Sequence, residues 1–214
     1  MITHLEWDSA HFGFRIGRVE GAVAEVSAEY ECIYFLAPES DPGAQQRALD
    51  RGFVNRGERV TLASSGWAIP ASSNLRQAVP EDLDALAEIG FPDSRFTIDP
   101  RFPRERVRAM YLMWIRRLLA STYIAAAEDS VAAYLSCEEE SGKAWISLFA
   151  VAERFRGRGI GRHLVEGARR WAENRGLREL IVVTQGSNEA ALRLYQKNGF
   201  HIVRKDTWFH WWRP

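Results

Sequence analysis

Apolar residues along this 214-residue chain recur with two different periods, and the two periods separate helices from strands. Apolar positions three and four residues apart indicate helices, whereas short continuous or alternating apolar runs indicate strands. The pattern predicts helices at residues 44–50, 76–89, 104–120, 160–175 and 188–199. It predicts strands at residues 4–7, 14–19, 32–36, 53–62, 131–137, 144–151, 180–184 and 200–212.

Turn-forming residues divide this series of elements. Residues 8–13 are predicted as a turn, and residues 91–103 as a loop because they contain three prolines. Residues 64–73 are the best linker candidate, since serine, glycine and proline are concentrated there. We therefore divide the chain into an N-terminal part, residues 1–70, and a C-terminal part, residues 71–214.

Strands and helices alternate along most of the chain, which indicates an α/β or α+β fold around a mixed sheet. A short sequence similarity also links the two parts of the chain. Residues 48–53 and residues 194–200 both place a glycine at the end of a helix, directly before a phenylalanine and a strand. This similarity indicates a partly duplicated layout.

Composition narrows the class of protein. An apolar fraction of 46% and a charged fraction of 26% are typical of a soluble globular domain. No segment approaches the roughly 20 apolar residues of a membrane helix, and the N-terminus lacks the basic and apolar regions of a signal peptide. Basic and acidic residues both number 28, so the net charge predicts no attraction to nucleic acid or to a membrane. The two cysteines, Cys32 and Cys137, have no partner at metal-ligand spacing, so we expect a reducing, cytoplasmic setting.

The most informative segment joins an apolar strand to a helix through three alternating glycines, Gly157, Gly159 and Gly161. Glycine lets the backbone turn tightly and approach a ligand closely. Free N–H groups at the start of the following helix favour an anion. Three arginines add positive charge around the same point: Arg156, Arg158 and Arg162. A pyrophosphate fits these electrostatics, and a glycine-rich turn without a ligand is the alternative.

Two other glycine-rich phosphate loops are excluded by their spacing. The dinucleotide fingerprint needs a glycine at its sixth position, where this chain has Arg162. The Walker pattern needs a glycine five residues before its Gly-Lys pair and a hydroxyl residue after it. Gly142-Lys143 has Cys137 and Ala144 at those positions.

The segment Arg156-Gly-Arg-Gly159-Ile-Gly161 resembles the coenzyme A motif of the GNAT superfamily of N-acetyltransferases. That motif is arginine or glutamine, two residues, glycine, one residue, and glycine or alanine. The resemblance implies a mixed, mostly antiparallel sheet flanked by helices, with residues 71–214 as the catalytic domain and residues 1–70 as a smaller α/β subdomain. It also implies acetyl-CoA as cosubstrate.

The same resemblance assigns residues to the cosubstrate. Backbone N–H groups of the glycine segment would hold the pyrophosphate, at Arg156, Gly157, Arg158, Gly159, Ile160, Gly161 and Arg162. The end of the preceding strand would lie along the pantetheine arm, at Phe149, Ala150 and Val151. A splayed bulge in that strand would offer an N–H group to an oxyanion.

The last predicted helix carries the second part of the resemblance. It begins at Asn188 and places Tyr195 before a closing Gly-Phe pair, as the last helix of the superfamily does. The resemblance implies that Asn188 hydrogen-bonds the pantetheine arm and that Tyr195 protonates the departing thiolate. A phenol with a pKa near 10 is a protonated donor at neutral pH, so the chemistry is consistent. Packing against Ala191 and Leu192 on one helical face is the alternative role of Tyr195.

Four further segments narrow the expected acceptor. They resemble, in the same order, the TDP-fucosamine acetyltransferases, a branch of the superfamily that acetylates the 4-amino group of a TDP-linked deoxysugar for surface polysaccharide assembly. The segments are residues 5–13, 93–96, 111–115 and 184–192. The resemblance implies a nucleotide-linked amino sugar as acceptor, with Arg95 and Phe96 as candidate binding residues. Alternatives are another small amine, an amino acid, a protein N-terminus, and a non-catalytic acyl-CoA-binding domain.

The base that accepts the proton of the amine is not singled out by the sequence. The candidates are Glu138, Glu139, Glu140, Asp93, Asp99 and His201. The five histidines form no cluster at ligand spacing, so no metal is predicted. The resemblance implies a small-molecule amine as partner. It also makes a homodimer a possible assembly, because the resembling enzymes commonly pair.

Overall fold

The computed structural model describes residues 1–23, 26–68, 75–90 and 94–214. Ten strands form one sheet within these residues. They are β1 Ile2–His4, β2 Ile16–Val19, β3 Cys32–Pro38, β4 Val54–Ser65, β5 Arg76–Gln77, β6 Thr122–Ala127, β7 Ser130–Glu140, β8 Lys143–Val151, β9 Glu179–Gln185 and β10 His201–Trp212.

The strands lie in the order β1-β2-β3-β10-β4-β9-β8-β7-β6-β5. Among the described strands, β2 pairs with β3 in parallel and β8 pairs with β9 in parallel. The other seven ladders are antiparallel. The prediction of a mixed, mostly antiparallel sheet is therefore confirmed.

Seven α-helices in the described residues cover both faces of the sheet. They are α1 Glu6–Phe12, α2 Pro42–Asp50, α3 Leu83–Ile89, α4 Arg95–Ile98, α5 Arg104–Arg117, α6 Ile160–Glu173 and α7 Glu189–Lys197. Helices α2, α6 and α7 pack on one face, which we call the α6 face. Helices α1, α3, α4 and α5 pack on the other, the α5 face. This α+β arrangement confirms the predicted fold class.

Strand alternation explains how the two apolar layers are built. Successive side chains of a strand point to opposite faces of the sheet. On β3, Ile33 and Phe35 belong to the core of the α6 face, whereas Cys32 and Tyr34 belong to the core of the α5 face. Strands that are apolar on both faces are buried between two helical layers, which is why residues 32–36 form a continuous apolar run.

Four of the predicted helices agree with the structure to within a few residues. These are α2, α5, α6 and α7. Helix α2 begins two residues before its prediction, because Asp41 accepts a hydrogen bond from the N–H of Ala44 at 2.9 Å and Pro42 fits the first helical position. The predicted helix at residues 76–89 is half right. Residues 76–77 are β5, and α3 begins only after a 3-10 turn at Pro80–Asp82.

The prediction of a turn at residues 8–13 is wrong, because helix α1 occupies most of them. Ser9 holds this helix in place: its hydroxyl donates to the carbonyl of Leu5 at 2.7 Å and accepts the N–H of Ile16 at 2.9 Å. Gly13, with φ at 83°, ends the helix. So short a helix depends on tertiary contacts rather than on its own propensity, and periodicity does not detect it.

The predicted loop at residues 91–103 also contains a helix. Residues 95–98 form α4, and the side chain of Ser94 caps it by accepting the N–H of Thr97 at 3.2 Å. Residues 91–93 of that loop lie outside the described residues. Phe96 and Phe102, both from residues 94–103, pack into the core of the α5 face.

The proposed linker at residues 64–73 begins inside a strand, since β4 continues to Ser65. Residues 69–73 lie outside the described residues. The sheet itself joins the two parts of the chain, because β10 pairs with both β3 and β4. Residues 1–70 and 71–214 therefore contribute strands to one sheet.

The similarity between residues 48–53 and 194–200 has a structural counterpart. Phe53 donates its N–H to Ala48, and Phe200 donates its N–H to Tyr195, both at 3.0 Å. The glycine before each phenylalanine has φ near 77°, a conformation that favours glycine. The two helices lead into β4 and β10, which are neighbours in the sheet.

The two cysteines are buried and form no disulfide. Burial raises the pKa of both thiols. In the described ranges, no helix has the length and apolar character needed to span a bilayer.

Candidate active site

Strands β8 and β9 run side by side over three residue pairs and then separate. The pairs are Ala144 with Leu180, Trp145 with Ile181, and Ile146 with Val182. Beyond them β8 remains paired with β7 as far as Val151, and β9 remains paired with β4 as far as Gln185. The two strands therefore border a gap in the sheet, and each edge of the gap carries backbone N–H and C=O groups.

A β-bulge marks the start of the gap. Ser136 on β7 pairs with Leu148, but the next residue, Cys137, pairs with Ile146. Ser147 is thus an extra residue on β8. The bulge implied by the superfamily resemblance is present, slightly before residues 149–151.

Two backbone N–H groups of β8 face the gap. Ala152 donates its N–H to Ala132 on β7 at 2.9 Å. Because the direction of N–H groups alternates along an antiparallel ladder, Phe149 and Val151 direct theirs away from β7 and toward the gap. Ala150 directs its N–H toward β7. Preorganised N–H groups on such an edge can stabilise an oxyanion.

A glycine turn at the end of β8 opens helix α6. Gly157 and Gly159 have φ values of 77° and 79°, which favour glycine. Gly159 is the N-cap residue and provides no side-chain cap, so the first N–H groups of α6 can serve an anion. Gly161 allows close packing of α6 on α7, because a Cβ atom there would meet Cδ2 of Leu194 at 2.9 Å.

The three arginines of the glycine turn are exposed, and each is also held by a partner. Arg156 donates from Nε to the carbonyl oxygen of Val151 at 3.2 Å, which ties the turn to the edge of the gap. Arg158 pairs with Glu128 at 2.6 Å, and Arg162 pairs with Glu166 at 2.9 Å. The arginines therefore surround the start of α6 in defined positions.

Helix α7 places two predicted residues beside the gap. Asn188 caps the helix by accepting the N–H of Ala191 at 3.1 Å, and its amide NH₂ group is a donor. The ring of Tyr195 is only 2% exposed and lies 5.6 Å from the ring of Phe149, centroid to centroid. Burial raises the pKa of the Tyr195 hydroxyl, so Tyr195 is protonated at neutral pH.

A sequence profile of the Acetyltransferase (GNAT) family matches residues 83–200, which include the gap, the glycine turn and α7. This chain belongs to the GNAT family. It is therefore an acetyl-CoA-dependent N-acetyltransferase, and the gap with its adjoining glycine turn is the candidate site for acetyl-CoA.

Individual relatives agree with this assignment. The acetyltransferase is 28% identical to a dTDP-fucosamine acetyltransferase from Escherichia coli O6:H1, over 98% of this chain and 97% of that protein. It is 26% identical to a spore coat polysaccharide biosynthesis protein from Bacillus subtilis, over 86% of this chain and 68% of that protein. A GNAT structure from Sphaerobacter thermophilus superposes with a TM-score of 0.65 at 23% identity, covering 86% of this chain and 60% of that chain. The superposition supports the fold.

Arg95 and Phe96, the predicted acceptor-binding residues, lie in the aromatic cluster on the α5 face of the acetyltransferase. The guanidinium carbon of Arg95 lies 4.0–4.2 Å from three ring centroids, those of Tyr34, Phe96 and Trp208. Phe96 is 6% exposed and packs on Phe12 and Phe102. The ring of Phe96 therefore supports the cluster, whereas the half-buried Arg95 is the member with polar groups to offer.

A buried polar network fixes Arg95. Its Nη1 lies 3.0 Å from Nε2 of His210, and Nδ1 of His210 lies 2.7 Å from Asp99. Arginine only donates, so Nε2 of His210 accepts and Nδ1 carries the proton that is donated to Asp99. Arg56 and Trp212 also reach the same Asp99 oxygen, each at 3.0 Å.

The network sets the protonation states of its buried groups. Burial lowers the pKa of His210 to about 4, although the hydrogen bond to Asp99 acts in the opposite direction. Burial by itself would raise the pKa of Asp99, but hydrogen bonds from His210 and Trp212 bring it to about 2. At neutral pH His210 is therefore neutral and Asp99 is ionised.

Two residues that the sequence did not single out, Arg59 and Asp206, lie between this network and the gap. Arg59 on β4 is opposite Gln185 on β9, so both side chains share the α5 face. Asp206 on β10 is fully buried and pairs with Arg59 at 3.3 Å and with Arg204 at 2.8 Å. Two guanidinium groups on one carboxylate leave a net positive charge. No linear motif connects Arg59 with Asp206, because the two residues are 147 positions apart in the sequence.

Of the six candidate bases, three have positions that argue against the role. Asp99 is held inside the buried network. His201 is exposed at the start of β10, and Glu140 is exposed at the end of β7. Asp93 lies outside the described residues.

Proposed function

We propose that this acetyltransferase moves the acetyl group of acetyl-CoA to the amine of a nucleotide-linked amino deoxysugar. The observation that carries the proposal is similarity to a dTDP-fucosamine acetyltransferase along almost the whole chain, N-terminal residues included. Those N-terminal residues build the α1, β3 and β4 side of the α5 face. The similarity therefore extends beyond the part that would hold acetyl-CoA.

The residues of the gap fit acetyl-CoA. The pantetheine arm would lie between β8 and β9, where Phe149 and Val151 offer backbone N–H groups and Ala150 supports the strand from the β7 side. The pyrophosphate would accept N–H groups from the turn at residues 156–162, whose positive φ values and uncapped helix start suit a bound anion. Asn188 would donate its amide NH₂ group to the arm.

The reaction proceeds by direct attack of the neutral amine on the thioester. The C–N bond forms first and gives a tetrahedral oxyanion, which N–H groups on the β8 edge stabilise. The C–S bond breaks as this oxyanion collapses to the amide. Tyr195 gives its proton to the departing thiolate. Tyr195 is suited to this role because it is protonated at neutral pH and its ring packs against the ring of Phe149, which borders the gap.

The acceptor would lie across β9, β4 and β10 on the α5 face. Adjacent strands are about 4.8 Å apart, so Arg59 on β4 lies roughly one strand spacing beyond β9. Trp208 on β10, against which Arg95 stacks, lies roughly two spacings beyond β9. A sugar ring would separate the amine at the gap from an anionic diphosphate near these arginines. Gln185 lies opposite Arg59 on the same face, so this residue borders the proposed path of the acceptor.

Substitution of Arg59 by lysine tests the placement of the diphosphate. Lysine keeps the charge beside Asp206 but loses the paired N–H groups that grip phosphate. We expect KM for a nucleotide-linked acceptor to rise about 10-fold, the loss of one charge-assisted hydrogen bond. KM for acetyl-CoA and turnover of the unlinked amino sugar should be unchanged.

Arg178→Lys is the matched control, because Arg178 is 78% exposed at its side chain and lies between α6 and β9. Equal effects of Arg59→Lys on linked and unlinked acceptors would contradict the proposed placement. Steady-state kinetics with both acceptors provide the comparison.

A further inference from the structure

We propose that Glu138, acting through the hydroxyl of Ser147, takes the proton from the attacking amine. This inference rests on acetyl transfer to an amine and is independent of the identity of the acceptor. It assigns the base for which the linear sequence offered six equal candidates.

The bulge places Ser147 on the α5 face of the sheet. Before the bulge, Ala144 and Ile146 belong to the core of the α6 face. After it, Leu148 and Ala150 belong to the core of the α5 face. Even-numbered residues thus change face at Ser147, so Ser147 and Leu148 both point to the α5 face. In a regular strand without the bulge, the side chains of Ser147 and Phe149 would point to the same face. Here Phe149 packs on the core of the α6 face instead.

Contacts of Ser147 confirm its direction. Its Oγ donates to Oε2 of Glu138 at 2.6 Å, a short hydrogen bond of the charge-assisted kind. Glu138 lies on the same face of β7 as Tyr134, which belongs to the core of the α5 face. Arg117, from the last turn of α5, pairs with Oε1 of Glu138 at 2.8 Å. One carboxylate oxygen is thereby anchored and the other is directed at Ser147.

Ser147 is also accessible to a substrate. It is exposed although it lies in the middle of β8, next to the last residue that pairs with β9. Phe149, whose N–H faces the gap, is two residues further along, about 7 Å at strand spacing. An amine that approaches a carbonyl bound at that N–H from the α5 face would come in on the side of β8 that carries the Ser147 hydroxyl.

The proposed acid and base lie on opposite faces of the gap. Tyr195 packs with Phe149 in the core of the α6 face, whereas Ser147 and Glu138 face the α5 side. The amine would enter from the α5 face and lose a proton to Ser147 as Ser147 passes its own proton to Glu138. The thiolate would receive a proton from Tyr195. One proton leaves the amine and one reaches the thiolate. This leaves Glu138 protonated and Tyr195 ionised, and proton exchange with solvent restores both groups before the next turnover.

The Glu138→Gln variant tests whether Glu138 accepts the proton or only holds Ser147 in place. Glutamine keeps the size of glutamate and its hydrogen bond from Ser147, but it does not accept the proton. We expect kcat to fall about 100-fold at neutral pH, with partial recovery at high pH where hydroxide replaces the base. KM for acetyl-CoA should be unchanged. Ser147→Ala should lower kcat in the same direction by a smaller factor.

Glu139→Gln is the matched control, because the neighbouring Glu139 is exposed on the opposite side of β7. It should leave kcat and the pH profile unchanged. If Glu138→Gln retains kcat within about threefold and the wild-type pH profile, the proposal is wrong. The assay uses any amine that the enzyme turns over, so its result does not depend on the nucleotide-sugar proposal.

Discussion

Tyr195→Phe should lower kcat by about 10³-fold at neutral pH, within the range that a positioned general acid contributes. The thiolate must receive a proton as it departs, and phenylalanine has none to give. The substitution preserves the ring that packs between Phe149 and Phe200. Burial raises the pKa of the tyrosine, so the loss should be nearly constant from pH 6 to 9.

Two further measurements isolate the proton donor. Acetyl-CoA should raise the melting temperature of Tyr195→Phe as much as that of the wild type, because the glycine turn is untouched. Tyr30→Phe is the matched control, because Tyr30 is also a buried tyrosine but lies at the far edge of the sheet, in the core around α2. A wild-type kcat in Tyr195→Phe would assign Tyr195 to packing alone.

Asp99→Ala should destabilise the fold by about 3–5 kcal/mol, the usual cost of removing one partner from a buried charged network. Asp99 is 1% exposed and meets His210, Trp212 and Arg56. Its removal leaves these groups without the acceptor that they share, and it releases the constraint on Arg95. Urea unfolding at pH 7 measures the loss, and Asp50→Ala on the exposed end of α2 is the control.

The same network should make the free energy of unfolding of the wild type depend on pH. His210 has a folded pKa of about 4, below its ordinary value near 6.5, so the unfolded chain binds more protons between these two pH values. Stability should therefore fall by roughly 3 kcal/mol as pH drops from 6.5 to 4. Asp99, with a pKa of about 2, keeps its contribution until lower pH. A flat unfolding free energy from pH 7 to 4 in the wild type would contradict the buried neutral state of His210.

Much of the fold is predictable from periodicity because many elements are long and bury a regular set of apolar side chains. Helix α6 and strand β8 are examples, as both carry strong apolar repeats. Helices α1 and α4 were missed because their stability comes from Ser9, from the Ser94 cap and from the aromatic cluster. The order of the strands in the sheet could not be predicted from periodicity either, because the position of β10 between β3 and β4 depends on tertiary packing.

The residues of the candidate site also fall into two groups, those that the sequence identifies and those that only the fold brings together. The glycine turn, Asn188 and Tyr195 belong to continuous motifs, so the sequence identifies them as candidates. The pairs Arg59 with Asp206, and His210 with Asp99, join residues more than 100 positions apart. Glu138 looked like one of three equivalent acids at a hairpin. Only the bulge at Ser147 and the ion pair with Arg117 distinguish it from Glu139 and Glu140.

The most direct test of the account is acetyl-CoA-dependent thiol release with a panel of amines. The panel contains TDP- and UDP-linked 4-amino and 3-amino deoxysugars, the free amino sugars, polyamines and amino acids. We predict turnover with a nucleotide-linked amino sugar at a kcat/KM at least 100-fold above that of any unlinked amine, the equivalent of about 3 kcal/mol of acceptor binding. Faster turnover of a free amine than of every nucleotide-linked sugar would contradict the proposed acceptor and leave only the acetyl transfer itself.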